Sequence, residues 1–248
     1  MIKVPDVYVI SLPRCTDRRE KVVQEMAEKQ IKFSFFNAVD GHQGTPLLAE
    51  DYDYRKRLWL TSGKMPSKGE LGCYASHYQL WLKCIELNRP IVVCEDDIEL
   101  HQNAAEILDV ALDKVKRFGF IRLEDIEAGG EFSEVERHGE YQLNLMKDNY
   151  GGLRAYAISP EVASKLIKHR WCLPVDCFVG ANFIHGQYSY QLTPCFVEKH
   201  GFYKSTIQAK DGFKTPIYRK LSRELYTAYK RLMLVVMYRK KITEMKSL

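Results

Sequence analysis

The chain carries 248 residues, 46% hydrophobic and 28% charged, with a formal net charge of +5. A chain of this size buries a full core as one large domain, or as one domain with an appendage, without disulfides or a structural metal. Seven cysteines at irregular spacing, with no Cys-x-x-Cys pair, exclude a disulfide framework and a zinc ribbon and fit a reducing, cytoplasmic compartment.

The opening segment, Met1 to Leu12, is too short and broken an apolar run for a signal peptide, and no run of about 18 apolar residues offers a membrane span. Asp6 to Leu12 reads as a buried strand, and Thr16 as the N-cap of a helix to about Lys29 with Val22, Val23, Met26 and Ala27 on one face. Ile31 to Phe36 reads as a second strand and Val39-Asp40-Gly41 as a turn. This β-α-β opening is the usual start of an α/β sheet. Residues 42–68, rich in Gly, Pro, Tyr and charges, read as an irregular insertion. Glu70 to Leu87 has helical spacing, Pro90 stops it, and Ile91 to Cys94 is a short apolar strand. A helix over Asn103 to Val115 and a strand over Phe118 to Leu123 follow. Tyr141 to Met146 and Leu153 to Ile158 read as strands. Ser159 with Pro160 and Glu161 starts a helix to about Ile167. Val175 to Ile184 reads as a short helix and Tyr188 to Val197 as a strand broken at Pro194.

Glu95-Asp96-Asp97 directly follow the strand Ile91 to Cys94. Ligands of open α/β sheets bind outside the carboxyl ends of strands. Alternation along an extended chain puts Glu95 and Asp97 on one side and Asp96 on the other. Adjacent carboxylates repel unless a cation offsets them, and Mg²⁺ or Mn²⁺ takes such oxygen ligands, often shared with substrate phosphates. The competing reading is a solvated acidic turn with Asp97 capping the next helix.

Six motifs in one order resemble glycosyltransferase family 25, which groups lipooligosaccharide-biosynthesis enzymes with collagen galactosyltransferases. They are Val9-Ile10-Ser11-Leu12 with Arg14, Asp17, Arg18 and Arg19; Ala38-Val39-Asp40-Gly41; Gly69-Glu70-Leu71-Gly72-Cys73 with Ser76-His77; Glu95-Asp96-Asp97; Gly152 with Ala155-Tyr156 and Ile158-Ser159; and Pro174-Val175-Asp176. The resemblance covers some four-fifths of the chain, about residues 7–206. It implies a GT-A-like, Rossmann-type mixed sheet flanked by helices, expected over residues 1–210, to which the charge and apolar pattern of the chain adds a basic helical tail over 211–248. It also implies a UDP-sugar donor, Mn²⁺ or Mg²⁺ dependence, and inversion at the anomeric carbon.

Within that frame, Arg14 and Arg18 are expected on the donor diphosphate, where a guanidinium fork bonds two oxygens, while Arg19 decorates a solvent-facing helix. Asp40 accepts from ribose hydroxyls or a base edge, or closes an Asx-turn. Glu70, Ser76 and His77 sit on a helix whose glycines admit close approach of a ligand, against the simpler reading of His77 as a structural histidine. Glu95, Asp96 and Asp97 are assigned to the metal and the diphosphate-sugar, with Asp97 and Glu95 as metal ligands and His200 as the third. Asp176 is the candidate general base, against a helix-capping role, with Glu124 and Asp125 as rivals. The strand from Gly152 through Tyr156 is expected to line the sugar pocket. Trp59 and Trp171 are candidates for stacking on sugar rings, while Trp81 reads as core.

From Tyr218 to Leu248 nine Lys/Arg stand against two Glu, so the tail is basic and the body near neutral. Leu225, Tyr229, Leu232 and Val236 recur at helical spacing among the bases. Such a helix can lie on an anionic inner-membrane surface beside a lipid-linked saccharide acceptor. The competing readings are a helix packed on the body or a dimer contact. Two other functions compete: a metal-dependent phosphoesterase or pyrophosphatase of nucleotide-linked substrates, and a non-enzymatic basic binding protein. The first needs further metal ligands. The near-neutral body, with no recognisable nucleic-acid module, argues against nucleic acid as a partner.

Overall fold

The computed structural model describes residues 6–44, 48–125, 130–198 and 216–247. Its centre is an eight-stranded mixed sheet in the order β2-β1-β3-β7-β4-β8-β6-β5. The strands are β1 (Val7–Ser11), β2 (Phe33–Asn37), β3 (Ile91–Glu95), β4 (Phe120–Arg122), β5 (Phe132–His138), β6 (Tyr141–Met146), β7 (Ala155–Ile158) and β8 (Tyr190–Thr193). The β1 strand runs parallel to both β2 and β3, while β7 runs antiparallel to β3 and β4. The chain is α/β, as expected.

Strand alternation divides the core between the two faces of the sheet. Tyr8 and Ile10 of β1, Ile91 and Val93 of β3, and Tyr156 and Ile158 of β7 join one apolar cluster. Helices α3 (Lys68–Leu87), α5 (Pro160–Leu166) and α6 (Val175–Val179) cover that cluster. Val7, Val9, Val92, Cys94, Ala155 and Ala157 point into the other cluster, under α1 (Thr16–Glu28) and α4 (Ala104–Phe118). Because β1 leads through α1 to β2 on one face and β2 leads through α3 to β3 on the other, the connection reverses between β1 and β3. That is the switch point where open α/β sheets hold ligands.

Several boundaries differ from the sequence reading. The insertion over residues 42–68 contains a 3-10 turn, Ala49–Asp51, and helix α2 (Tyr54–Trp59). Both are held by Tyr52 against Trp171 and by Arg57 on Glu70, contacts invisible to local patterning. Helix α3 starts at Lys68, because Ser67 accepts from the Glu70 amide. Helix α4 runs to Phe118 and Gly119, at φ +81°, ends it, so β4 is shorter than expected. The expected helix Val175–Ile184 is two, α6 and α7 (Asn182–His185), broken at Gly180, where a side chain would strike the Asn149 carbonyl at 2.8 Å. Strand β5, an outer strand of mixed polar sequence, had no alternating signal strong enough to read.

The basic tail forms α8 (Lys220–Lys246) and packs on the body. Leu234 and Tyr238 are buried, Tyr238 shares a hydrogen bond with Ser133 at 2.8 Å, and Ser222 donates to the Trp59 carbonyl at 2.6 Å. At 100° per residue the stripe read from sequence lies on the opposite face. Leu225, Leu232 and Val236 stay 64%, 61% and 49% exposed, extended by Leu221 at 70%. No helix among the described residues is long and apolar enough to cross a membrane. All seven cysteines are free thiols.

Candidate active site

The carboxyl ends of β1 and β3 bring Ser11 and Glu95-Asp96-Asp97 together with the start of α1. The expected alternation holds. Asp96 turns toward β1 and α1, where it accepts from Ser11 Oγ at 2.7 Å and from Arg18 Nη1 at 2.9 Å. Of the three acids it is therefore the neutralised one, so it holds Arg18 in place rather than standing free for the donor. Arg19 is not surface decoration: it donates to the Ser11 carbonyl at 2.8 Å and to Asn37 at 2.7 Å, tying the ends of β1 and β2.

Glu95 and Asp97 face the opposite way, toward α3, α6 and β7. Burial raises the pKa of Glu95 well above the usual carboxylate range, and Asp97, Glu124, Asp96 and Asp176 push it further. Burial also raises Asp97, which Arg154 partly offsets. One Asp97 oxygen, Oδ1, is buried with no hydrogen-bond partner among the described residues. Carboxyl groups left under-compensated at a strand end can take a cation or cationic groups, which favour their charged form.

Asp176 joins this wall from the first turn of α6. Its Oδ1 accepts from the Cys177 amide at 2.8 Å and its Oδ2 from the Gly152 amide at 3.2 Å. It therefore serves the helix start and faces the carboxylate cluster at once. Gly152 has φ +79°, and a side chain there would meet Glu124 and Arg122 at 3.3 and 3.4 Å, so glycine is required for this approach. Glu124 is committed elsewhere: fully buried, it accepts from the Arg154 amide at 2.6 Å and Nε at 2.7 Å and lies 3.3 Å from Arg122. Asp125 is exposed, with Gln191 Nε2 at 3.5 Å from it.

Arg14 pairs with Asp40 at the rim, and that hydrogen bond lowers the Asp40 pKa. Asp40 also accepts from the His42 amide at 3.1 Å, so the Asx-turn is real. Gly72 of α3 does not cradle a ligand: a side chain there would strike the Val39 carbonyl at 2.5 Å and the Gly41 amide at 2.7 Å. Backbone packs on backbone, fixing the loop that carries Asp40. Ser76 is fully buried, donates to the Gly72 carbonyl and accepts from the Val39 amide, both at 2.8 Å. It secures that loop instead of touching the donor. Glu70 is held by Arg57 at 2.8 Å and Tyr52 at 3.4 Å, and burial raises its pKa.

His77 is also fully buried. Its Nδ1 meets Tyr156 Oη at 2.9 Å and its Nε2 lies 3.5 Å from Glu95, while burial lowers its pKa to about 3. Tyr156 and Trp171 are core residues and cannot line a sugar pocket. Among the tryptophans Trp59 alone is well exposed, at 46%. His200 lies outside the described residues. Sequence reasoning missed Arg122 and Arg154; the only signal was two bases set beside apolar strands.

The model for glycosyltransferase family 25 (LPS biosynthesis protein) matches residues 4–179. Lipooligosaccharide biosynthesis protein lic2B of Haemophilus influenzae is 28% identical over 230 residues, which is 87% of this chain and 84% of that protein. Lipooligosaccharide biosynthesis protein lex-1 of the same organism is 24% identical, over 70% of this chain and 67% of that protein. Inactive glycosyltransferase 25 family member 3 of Homo sapiens is 31% identical over 72% of this chain, which spans 31% of that larger protein. The chain belongs to glycosyltransferase family 25 and is a glycosyltransferase.

Proposed function

We propose that this enzyme transfers a hexose, galactose in preference to glucose, from a UDP-sugar to a lipooligosaccharide or lipopolysaccharide acceptor, with inversion and with Mn²⁺ or Mg²⁺. The observation that carries the reading is the under-compensated pair Glu95 and Asp97 at the β1–β3 switch point. The acceptor class is taken from the names of the two Haemophilus relatives.

The donor set fits a hard divalent ion: two carboxylates, one with a buried oxygen lacking a partner among the described residues. Asp97 and Glu95 would hold it, with His200 as the proposed third ligand. Such an ion supplies positive charge to the departing diphosphate. Arg14 and Arg18 offer guanidinium forks to the diphosphate oxygens, and Asp40 accepts from the ribose. Asp176 takes the proton of the acceptor hydroxyl as that oxygen bonds to the anomeric carbon and the bond to the phosphate oxygen breaks. The Gly152 amide orients the Asp176 carboxylate for this role. Asp125 is the alternative base. The outward stripe of α8, Leu221, Leu225, Leu232 and Val236, rests on the anionic inner membrane and keeps the cytoplasmic enzyme beside its acceptor.

The test is UDP release from a panel of UDP-sugars with Mn²⁺ and truncated lipooligosaccharide, with the anomeric configuration of the product read by NMR. Asp97→Ala should abolish release, and Asp176→Asn should slow it by about 10²–10⁴-fold. Full turnover by Asp176→Asn would move the base to Asp125. A product with retained configuration would remove inversion from the reading.

A further inference from the structure

One face of α3 meets the end of β3 in an arrangement of which the transfer reaction uses Glu95 alone. Cys73 and His77 stand four residues apart, one helical turn, so their side chains share a face. Glu95 approaches that face from β3. The three ligand atoms lie within 4.8 Å of one another. His77 Nε2 and Glu95 Oε1 are already 3.5 Å apart, the separation of about 3.5 Å that two ligands of a tetrahedral zinc adopt with bonds near 2.0–2.3 Å.

A second observation points to a ligand here. His77 is fully buried, yet its Nε2 has no hydrogen-bond partner among the described residues. The ring is held from behind. Tyr156 Oη meets Nδ1 at 2.9 Å and accepts from Trp81 Nε1 at 3.0 Å. A phenolic oxygen can accept from both, and in that tautomer of His77 the Nε2 lone pair is turned toward Glu95 and Cys73. A neutral imidazole oriented through its other nitrogen is the usual form of a metal-bound histidine.

We propose that Cys73, His77 and Glu95 form a second metal site, for a thiophilic cation such as Zn²⁺, which competes with the catalytic metal for Glu95. The chemistry of the donors separates the two sites. A thiolate and an imidazole favour Zn²⁺ over Mg²⁺ or Mn²⁺, whereas the paired carboxylates favour the hard ions. Binding releases the Cys73 thiol proton to solvent and forms the sulfur–metal bond. A sulfur–metal bond has to replace the sulfur–hydrogen bond, so the site favours a cation that binds sulfur strongly. With Glu95 taken, the transferase loses one oxygen ligand, and Zn²⁺ becomes an inhibitor. This last consequence rests on the function proposed above; the binding itself does not.

Co²⁺ titrated into the full chain reads the site directly. A thiolate-to-cobalt charge-transfer band should saturate at one ion per chain, disappear on adding Zn²⁺, and be absent in Cys73→Ala. No band in the parent, or an undiminished band in the variant, overturns the site. A variant-free measurement guards against misfolding: Zn²⁺ should slow alkylation of Cys73, mapped by mass spectrometry, and leave Cys15 unchanged. An unaltered Cys73 rate overturns the proposal. In the UDP-release assay the inhibiting Zn²⁺ concentration should rise at least about tenfold in Cys73→Ala, with Mn²⁺-supported turnover retained. A band with no turnover of any UDP-sugar keeps this site and overturns the transfer reading. Turnover with no band does the reverse.

Discussion

Glu124→Gln tests the charge network beneath the site. In the parent, one buried carboxylate serves two guanidinium groups and a backbone amide: Arg154 Nε at 2.7 Å, the Arg154 amide at 2.6 Å and Arg122 at 3.3 Å. Arg122 is 1% exposed at its side chain and is further held by Asn149 at 2.8 Å and the Gly151 carbonyl at 2.7 Å, so it cannot swing out to water. Glutamine keeps the shape but offers one acceptor oxygen, and it turns an amide donor toward a guanidinium donor. Breaking a buried ion pair from one side costs about 3–5 kcal/mol, a large share of the roughly 5–15 kcal/mol that stabilises a domain. At about 2–4 °C per kcal/mol for a chain of this length, the melting temperature should fall by about 6–20 °C. Parallel thermal and urea unfolding of parent and variant at pH 7 gives the number. Turnover should fall as well, because Arg154 offsets Asp97 and its position depends on Glu124. A variant melting within about 2 °C of the parent would mean that both guanidinium groups find solvent and that the network carries no net charge compensation.

Three further outcomes follow from the geometry. Gly72→Ala pushes a methyl into the Val39–Gly41 backbone, at a cost of about 1–3 kcal/mol from overpacking, and should raise KM for the donor more than it lowers kcat. Donor kinetics indistinguishable from the parent would show that the Asp40 loop does not depend on this contact. His185 is buried against Phe178, and burial lowers its pKa from 6.5 to about 4. The unfolded chain therefore binds the proton more readily, so stability is complete above pH 6.5 and is lost toward pH 4, by up to about 1.4 kcal/mol per pH unit. Urea midpoints from pH 7 to 4.5 should decline less steeply in His185→Gln; equal slopes would assign the acid limb to other groups. On α8, the pair Leu225→Glu with Leu232→Glu should abolish sedimentation with anionic vesicles while leaving the melting temperature unchanged, since both residues point away from the body. Undiminished vesicle binding would remove the membrane role of the stripe.

Much of the architecture was legible because it is written in local periodicity. The apolar runs at Val7–Ser11 and Ile91–Glu95, the 3.6-residue spacing of α3 and α4, and the Ser-Pro-Glu start of α5 each carry their own structural signal within a few residues. So did the side on which each acid of Glu95-Asp96-Asp97 would fall, because strand alternation is a local rule. The sequence also marked the α8 stripe. What it could not mark was which face of that helix is buried: the body takes Leu234 and Tyr238 and leaves the more conspicuous leucines outside.

The division of labour within the motifs belonged to tertiary structure alone. Gly72 and Ser76 look like ligand-binding residues until Val39 and Gly41, more than thirty positions earlier, are found pressed against them. Tyr156 looks like part of a sugar pocket's lining and Trp171 like a sugar-stacking aromatic until burial removes both from solvent. Asp96 and Asp97 are neighbours of one chemical type, yet Arg18 and Ser11 neutralise the first while the second keeps a buried oxygen without a partner among the described residues. The physical reason is common to all of these. A side chain's role is set by what surrounds it, and solvation, countercharge and steric contact come from segments distant in sequence. Residue type and spacing therefore determined the fold class and marked the place of the candidate site, and long-range packing decided which of its side chains are buried or neutralised by neighbours.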